Sequence, residues 1–452
     1  MPLNDKVLFV SKIFRPAISR PWKSGSSIDL VCKSQKLLLD KGLIKYAAGR
    51  GLFHILPVLH RSFEKLVVIV DAEMKAIGGN RLSMPLLCDR FLWDKTSRWT
   101  LFGEELFKLR DRKDAELCLC PTHEELVTQL VAQNGPLALR QLPLLLYQFG
   151  WKFRDEANPR FGMLRSREFF MKDMYSFDHS AEACLESYRA VSDAYSRIFK
   201  RMPVPVHVVD AEVGMMGGDL SHEYHLICTG GQDCIDVCQS CGSAFLHDAG
   251  HNETGSKAEP SLSTEPDGKK CPHCGDRGLR SFECSEIAHT FVLGKKYSEA
   301  LNAHFLCDDG QRKPLHMGCY GIGVSRLLAV SVDLLSTDSA LRWPKMIVPF
   351  KVCVIPPKRF SKESSATAIA EHIATCLADL PNLRDEVLFD DRTDLTVGRR
   401  LADAKNLGWL YAIVVNKTFF QKPVPRFELV DIYEDTCEEV THCELFHRLR
   451  NI

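Results

Sequence analysis

Nowhere does the chain hold the roughly 18 to 20 consecutive apolar residues that a bilayer-spanning helix needs, and its N-terminus lacks a continuous apolar core followed by a small-residue cleavage site. A membrane or secreted protein is therefore not expected. An excess of charge of one sign is missing too, since 58 Lys and Arg stand against 58 Asp and Glu. A polyanionic partner would have to be met by local basic patches rather than by an overall field. No fixed-period internal repeat is visible. With no secretory signal, the 18 cysteines read as buried thiols or metal ligands rather than a disulfide scaffold. For the same reason the sequon Asn252-Glu253-Thr254 carries no meaning.

The 452 residues, 45% hydrophobic and 26% charged, suffice for two or three domains with a substantial core. Residues 1–29 read equally as an organelle transit peptide or a basic, frayed tail, the first 24 holding Lys6, Lys12, Arg15, Arg20 and Lys23 against Asp5. "SFEKLVVIVDAEMKAIGG" has helical apolar spacing, stopped by Gly78-Gly79, and "NRLSMPLL" after it is extended, with Pro85 suiting an edge or interface strand. "THEELVTQLVAQNG" predicts a helix opened by Thr122 and Glu125 in capping-box spacing. Strands around Gln148 to Glu156 and Arg167 to Phe177 flank the turn signal "ANPRFG". A polar, turn-rich stretch over 230–282 reads as an insertion between a first part, 30–229, and a second part, 283–348. From Pro349 to 452 short apolar strands such as "KVCVIPP" and "YAIVVN" alternate with helices, an α/β domain.

Chemistry concentrates in a few places. "GWKFRDEANPRFGMLRSREFFMKD", Gly150 to Asp173, packs six basic and four acidic side chains among aromatics. Strand alternation puts Lys152, Arg154 and Glu156 on one face, and Arg165, Arg167, Phe169 and Met171 on one face after the turn. Guanidinium forks suit phosphate, a carboxylate accepts an exocyclic amino hydrogen and a ring stacks on a purine, so the hairpin could hold ATP; a salt-bridged hairpin is the plain alternative. "MGCYGIGVSRLL" leads Gly318, Gly321 and Gly323 into Arg326 at a helix start, where anions are favoured, but it lacks the Lys-Ser/Thr of a phosphate loop. In "THEEL" no second His follows, which sets aside a zinc-protease helix and leaves Glu124 as a spare carboxylate or a helix-dipole partner. Gly230-Gly231-Gln232 shares three residues with release factors, too few to argue from. Cys238-x2-Cys241 and Cys271-x2-Cys274, each followed by Gly, match a tetrahedral zinc site, with Cys228, Cys234 and Cys284 as possible substitutes and a redox pair as the alternative.

In this order, "MPLL", "FRDE…RFGMLRSREF" and "GCYGIGVSR" resemble motifs 1, 2 and 3 of class II aminoacyl-tRNA synthetases. "CPTHEE", "QLPLLLYQFGWKFRDE", "GGDLSHEY", "EIAHTFVLGKKYS" and "DDRTDLTVGRRLADA" resemble prolyl-tRNA synthetases in particular, from about Leu30 to near the C-terminus, and the short Cys-rich insertion resembles the animal mitochondrial type. The resemblance implies an α/β protein with an α+β catalytic core, an antiparallel sheet flanked by helices, a small zinc-ribbon-like insertion holding structural Zn2+, and a C-terminal α/β anticodon-binding domain. It implies ligation of L-proline to tRNA(Pro) through a prolyl-adenylate, using ATP with Mg2+, by a homodimer in the mitochondrial matrix, with the cytoplasm as the alternative. Arg154, Glu156 and Arg326 are carried over as catalytic. Arg154 would bridge the α-phosphate and the proline carboxylate, Glu156 hold the adenine amino group, Phe169 stack on adenine, and Arg165 and Arg326 hold the terminal phosphates. Thr122, Glu124, His222, Glu223, His289 and Cys319 fall to the proline pocket, and Asp391 and Arg392 to anticodon bases. Where bacterial relatives carry a large editing domain, only the Cys-rich stretch stands, so editing in cis is not expected. The rivals are a catalytically inactive relative that binds RNA or serves a polymerase, and a synthetase for threonine or serine.

Overall fold

Pro57 opens the first long helix, Pro57–Ala76, at a position where its missing N–H costs nothing, and Gly78 at φ +83° ends it. Gly79 has a different constraint, because a Cβ there would lie 2.7 Å from the Met74 carbonyl oxygen. In this computed structural model residues 6–16, 32–47, 49–228, 230–247 and 270–452 are described. The sequon at 252–254 and most of the stretch 1–29 lie outside the described residues.

The helix packs on two others, Ala181–Arg201 and Val324–Leu335, which cover one face of a large sheet. Its main path runs Val206–Asp210, Leu220–Ile227, Leu279–Gly294, His316–Gly323, Glu168–Asp178, Leu144–Phe153 and Asn80–Arg81. All neighbours are antiparallel except the last pair. The charged hairpin forms the centre-right of this sheet, with Phe153 opposite Glu168, and its loop turns through Phe161 at φ +58° and a short turn at Gly162–Leu164. Strand geometry ends at Phe153, so Arg154, Asp155 and Glu156 lie past the ladder and strict alternation no longer places them.

Two sequence expectations need correction here. The helix Glu124–Gln133 forms, but without a side-chain cap: the Thr122 hydroxyl donates to Glu124 Oε1 at 2.8 Å instead of capping, and Glu125 is buried against Arg98. The insertion is also less separate than the 282/283 division suggests. Leu279–Gly294 is one unbroken strand across that point, and Asp233–Cys238 pairs along its outer half from Cys284 to Leu279.

Beyond Pro349 a six-stranded sheet follows, ordered Leu8–Phe9, Val387–Phe389, Val352–Ile355, Tyr411–Val414, Phe427–Asp431, Thr436–Val440, its first four strands parallel. One apolar core joins it to the part that carries the large sheet, since Leu66 and Val330 share a cluster with Trp343, Phe350, Leu407 and Val430. Its outermost strand comes from the N-terminus. Residues 6–16 are therefore not frayed: Val7 is buried and Leu8–Phe9 adds to the sheet edge. No described helix is long and apolar enough to cross a membrane.

Candidate active site

Alternation on the central strands sorts the two faces of the large sheet. Lys172 and Ser176 face the helices, where Lys172 Nζ donates to Tyr195 Oη at 2.6 Å and to the Tyr320 carbonyl at 3.0 Å. Phe169 and Met171 face the other way, into a cavity of about 390 Å³. Asp173 lies beneath it, fully buried and ion-paired at 2.8 Å with Lys152 Nζ, which also donates to His123 Nδ1. Lys152 is thereby consumed by the floor and is not offered to a ligand.

Thr122, Arg154, Glu156, Arg165, Phe169, His289, Cys319 and Arg326 all contribute to the cavity wall. Arg154 lies over the Phe169 ring, 5.3 Å from its centroid. Among the described residues its guanidinium has no hydrogen bond and no carboxylate within ion-pair distance, and its buried Nε is unsatisfied. Burial works against its charge, Glu286 supports it and Arg326 opposes it. A half-buried guanidinium without a carboxylate partner is only partly compensated, and an anionic ligand completes it. Glu156 by contrast is paired with Arg165 at 2.7 Å; burial would raise its carboxyl, but that pair outweighs burial and holds it below the usual range. Arg326 spends Nε and Nη1 on the carbonyls of Leu164 and Glu286, which aims the remainder of its fork into the cavity mouth. Gly321 and Gly323 line the same wall, and a Cβ at either would meet only ordinary contacts, so their bareness leaves room for ligand; Gly318 instead is squeezed by Tyr320 and Ser176.

The proline-pocket residues divide. Glu124 is wholly buried behind the wall: Oε1 accepts from Thr122 and from the Cys319 thiol at 3.1 Å, and Oε2 from Arg98 at 2.9 Å. It acts on the cavity through Thr122, whose hydroxyl donates inward and so turns its lone pairs outward. Burial pushes Glu124 up, but Arg98 and these donors prevail and hold it low, whereas burial prevails at the adjacent Glu125, which is raised. Glu223 sits under His289, which is held by Ser221 at 2.7 Å and Glu286 at 3.0 Å. His222 is on the opposite face, against Tyr188 and Asp210. Neighbours on a strand point to opposite faces, so His222 and Glu223 cannot share one pocket.

Several wall residues had no sequence argument. Arg98, Glu105, Gln232, Asp233 and Glu286 all line the cavity. Glu286 stood inside a quoted segment, but its spacing of three from His289 argues against a shared face on a regular strand. A register shift at Ile287 brings both round to the cavity. Burial would raise Glu286, yet His289, Arg326 and Arg154 hold it down to about 2. Arg98 comes from a four-residue helix with no local signal.

Cys238, Cys241, Cys271 and Cys274 converge, with Sγ atoms all within 4.8 Å and cross pairs at 3.6 and 3.7 Å. Four thiolates about 2.3 Å from a tetrahedral zinc lie roughly 3.8 Å apart, so the spacing fits the metal and not a disulfide. Gly242 and Gly275, at φ +74° and +78°, let each knuckle N–H turn back to the first cysteine's carbonyl. Cys228, Cys234 and Cys284 are not in the cluster. In the C-terminal domain Arg392 is committed to Asp390 and Asp403, and Asp391 accepts from Ser11, so both expected base contacts already have partners inside the protein.

A family model described as the tRNA synthetase class II core domain (G, H, P, S and T) matches residues 107–334. A Rattus norvegicus protein named probable mitochondrial proline–tRNA ligase is 46% identical over 433 residues, covering 95% of this chain and 88% of that protein. A Homo sapiens protein of the same name is 42% identical over 434 residues, with 95% and 88% covered. The crystal structure of prolyl-tRNA synthetase from Cryptosporidium parvum with halofuginone and AMPPNP shares the fold, with a TM-score of 0.71 at 16% identity over 92% of this chain and 75% of that one. Identity at this level over almost the whole length, on a sheet that brings the motif arginines into one cavity, means that the chain belongs to the proline–tRNA ligases, a family of class II tRNA synthetases.

Proposed function

We propose that the protein activates L-proline with ATP and then charges tRNA(Pro). The observation that carries this reading is Arg154, a guanidinium inside the cavity with no anionic partner among the described residues. In the first step a proline carboxylate oxygen bonds to the α-phosphorus and the bond to pyrophosphate breaks. Arg154's fork spans both anions, and Arg165 and Arg326 hold the leaving phosphates. Glu156 accepts from the adenine amino group, Phe169 stacks on the base, and the Thr122 lone pairs meet the ring N–H with Glu124's charge behind. In the second step a terminal ribose hydroxyl of the tRNA attacks the prolyl carbonyl, loses its proton, and AMP departs. Neither step requires a strongly tuned protein base; alignment and charge stabilisation supply most of the acceleration. Asp233, raised by burial and by the neighbouring Glu286 carboxylate, and Glu286 itself form a pair suited to Mg2+, which would neutralise phosphate charge. The site of action we assign is the mitochondrial matrix, following the relatives named mitochondrial. The test is amino-acid-dependent ATP–pyrophosphate exchange across a panel: proline alone should support it, and exchange with threonine or serine instead, or with none, would overturn the reading. With Arg154, Arg165 and Arg326 all in the cavity wall, no observation favours an inactive relative.

The cysteine cluster we assign to structural zinc, saturated by four thiolates with no position for water or substrate. Chelation, or Cys271→Ser, should make residues 234–247 and 270–280 protease-sensitive while exchange stays within about threefold. The reason is local. The knuckle sits at the outer end of Leu279–Gly294, whereas the stretch holding Glu286 and His289 is clamped between Leu220–Ile227 and His316–Gly323. Purified protein without zinc would sink the assignment.

A homodimer is supported by exposed apolar side chains on the motif 1 elements, Val68 at 66% on the helix and Leu86 and Leu87 at the end of "MPLL", and on the segments after them, Phe91 and Leu101. Light scattering at micromolar concentration should give twice the 51.1 kDa chain mass, and a monomer there contradicts it.

A further inference from the structure

The N-terminal segment is built into the C-terminal sheet in a way that an appended tail would not be. Leu8 and Phe9 pair in parallel with Leu388 and Phe389, Val7 is buried, and Phe9 packs edge-on against Phe389 at 6.2 Å. Past the strand, Ser11 N and Oγ both donate to the Asp391 carboxylate. Arg15 and Arg392 then converge on the same oxygen of Asp403, each at 2.8 Å. Three parallel strands thus end side by side, and the segments that follow them, 10–14, 390–395 and 356–360, meet on one edge, where Arg359 N donates to the Thr393 carbonyl. In open α/β sheets ligands are taken up at such carboxyl ends.

That edge carries exposed cations beside unburied aromatics, with Asp391 tied to Ser11 and Asp394 exposed among them. Lys12, Lys358 and Arg359 are exposed, while Arg15 and Arg392 neutralise the nearby Asp390 and Asp403. Phe14 is 64% and Phe360 85% accessible. Exposed cations beside accessible rings, Phe14 open and Phe360 with the Arg359 guanidinium 4.7 Å from its centroid, suit single-stranded RNA, whose phosphates need charge and whose unstacked bases need a platform. We infer that the N-terminal strap, residues 8–15, is part of the tRNA-contacting surface of the C-terminal domain, with Phe14 stacking on an unpaired base and Lys12 meeting a phosphate.

This rests on the reading that the protein charges tRNA, and the experiment separates the two. The probes are a transcript of tRNA(Pro), for charging and for binding, and proline-dependent pyrophosphate exchange, which needs no tRNA. Phe14→Ala and Lys12→Ala alter exposed side chains, so the fold should be unaffected. The double variant should lose about tenfold or more in kcat/KM for tRNA charging, and its binding should depend less steeply on salt, by about one unit of slope, with exchange within twofold of the parent. If the parent charges no tRNA, the underlying reading fails. If the parent charges and the variant matches it within twofold, the strap proposal fails. A parallel loss of charging and exchange, or a changed oligomeric state, also overturns it, because the strap is then a structural or subunit contact.

Discussion

Arg154→Ala should lower proline-dependent pyrophosphate exchange by a factor of about 10² to 10³, roughly 3 to 4 kcal/mol, the scale of losing one preorganised charge contact at a developing anion. Thermal stability should stay nearly unchanged. The Arg154 side chain makes no ion pair or hydrogen bond within the described protein, so its removal costs the fold only the contact with the Phe169 ring and relieves an unsatisfied Nε. Arg154→Lys keeps the charge but loses the two-pronged geometry, and should fall between parent and Ala variant. Exchange within threefold of the parent for the Ala variant would remove Arg154 from the mechanism.

The second large effect concerns stability. Arg98 is fully buried and is the cation shared by Glu124, at 2.9 Å, and Glu125, at 3.1 Å, both also fully buried. Thr96 donates to Glu125, and Arg98 itself packs over the Trp93 ring at 4.9 Å. Arg98→Met preserves most of the stem's packing and leaves two carboxylates in a dry site without a counter-charge. Removing one partner of such a cluster costs about 3 to 5 kcal/mol. The denaturant midpoint of the catalytic core should drop accordingly, and adding Glu125→Gln should recover part of the loss by removing one of the stranded charges. An Arg98→Met protein as stable as the parent would mean that the two carboxylates are not both ionised around that guanidinium. In the double variant proline KM should remain raised, because the Glu124 charge behind Thr122 is no longer held in place; recovery of KM along with stability would contradict that role.

Local pattern made much of this molecule legible. Apolar spacing and a Gly pair delimited the helix that ends at Ala76, turn residues announced the charged hairpin, and paired Cys-x2-Cys with trailing glycines placed the knuckles. Each is a short-range regularity, carried by residues within one or two turns of one another. Parity along a strand was also available, and it separates His222 from Glu223 without any coordinates. The capping-box reading of Thr122 and Glu125 failed because a stronger partner, Arg98, lies 27 positions away from Glu125 and takes its carboxylate.

The residue types in the cavity, the order of the motifs and the metal-ligand spacing were thus determined by the sequence alone, since chemistry and short-range geometry travel with the chain. Tertiary structure decided the rest. The register shift at Ile287 puts Glu286 beside His289, and whether a strand bulges depends on the partner strand rather than on its own residues. Arg98 reaches the carboxylates only because its short helix packs beneath them, and Arg154 is left without an acid because the adjacent Asp155 and Glu156 are taken by Arg167 and Arg165. The N-terminal strap lies 380 residues in sequence from the Asp391 it caps. No periodicity spans such a distance; only the edge of a folded sheet, with its unpaired backbone groups, could select that segment as its last strand.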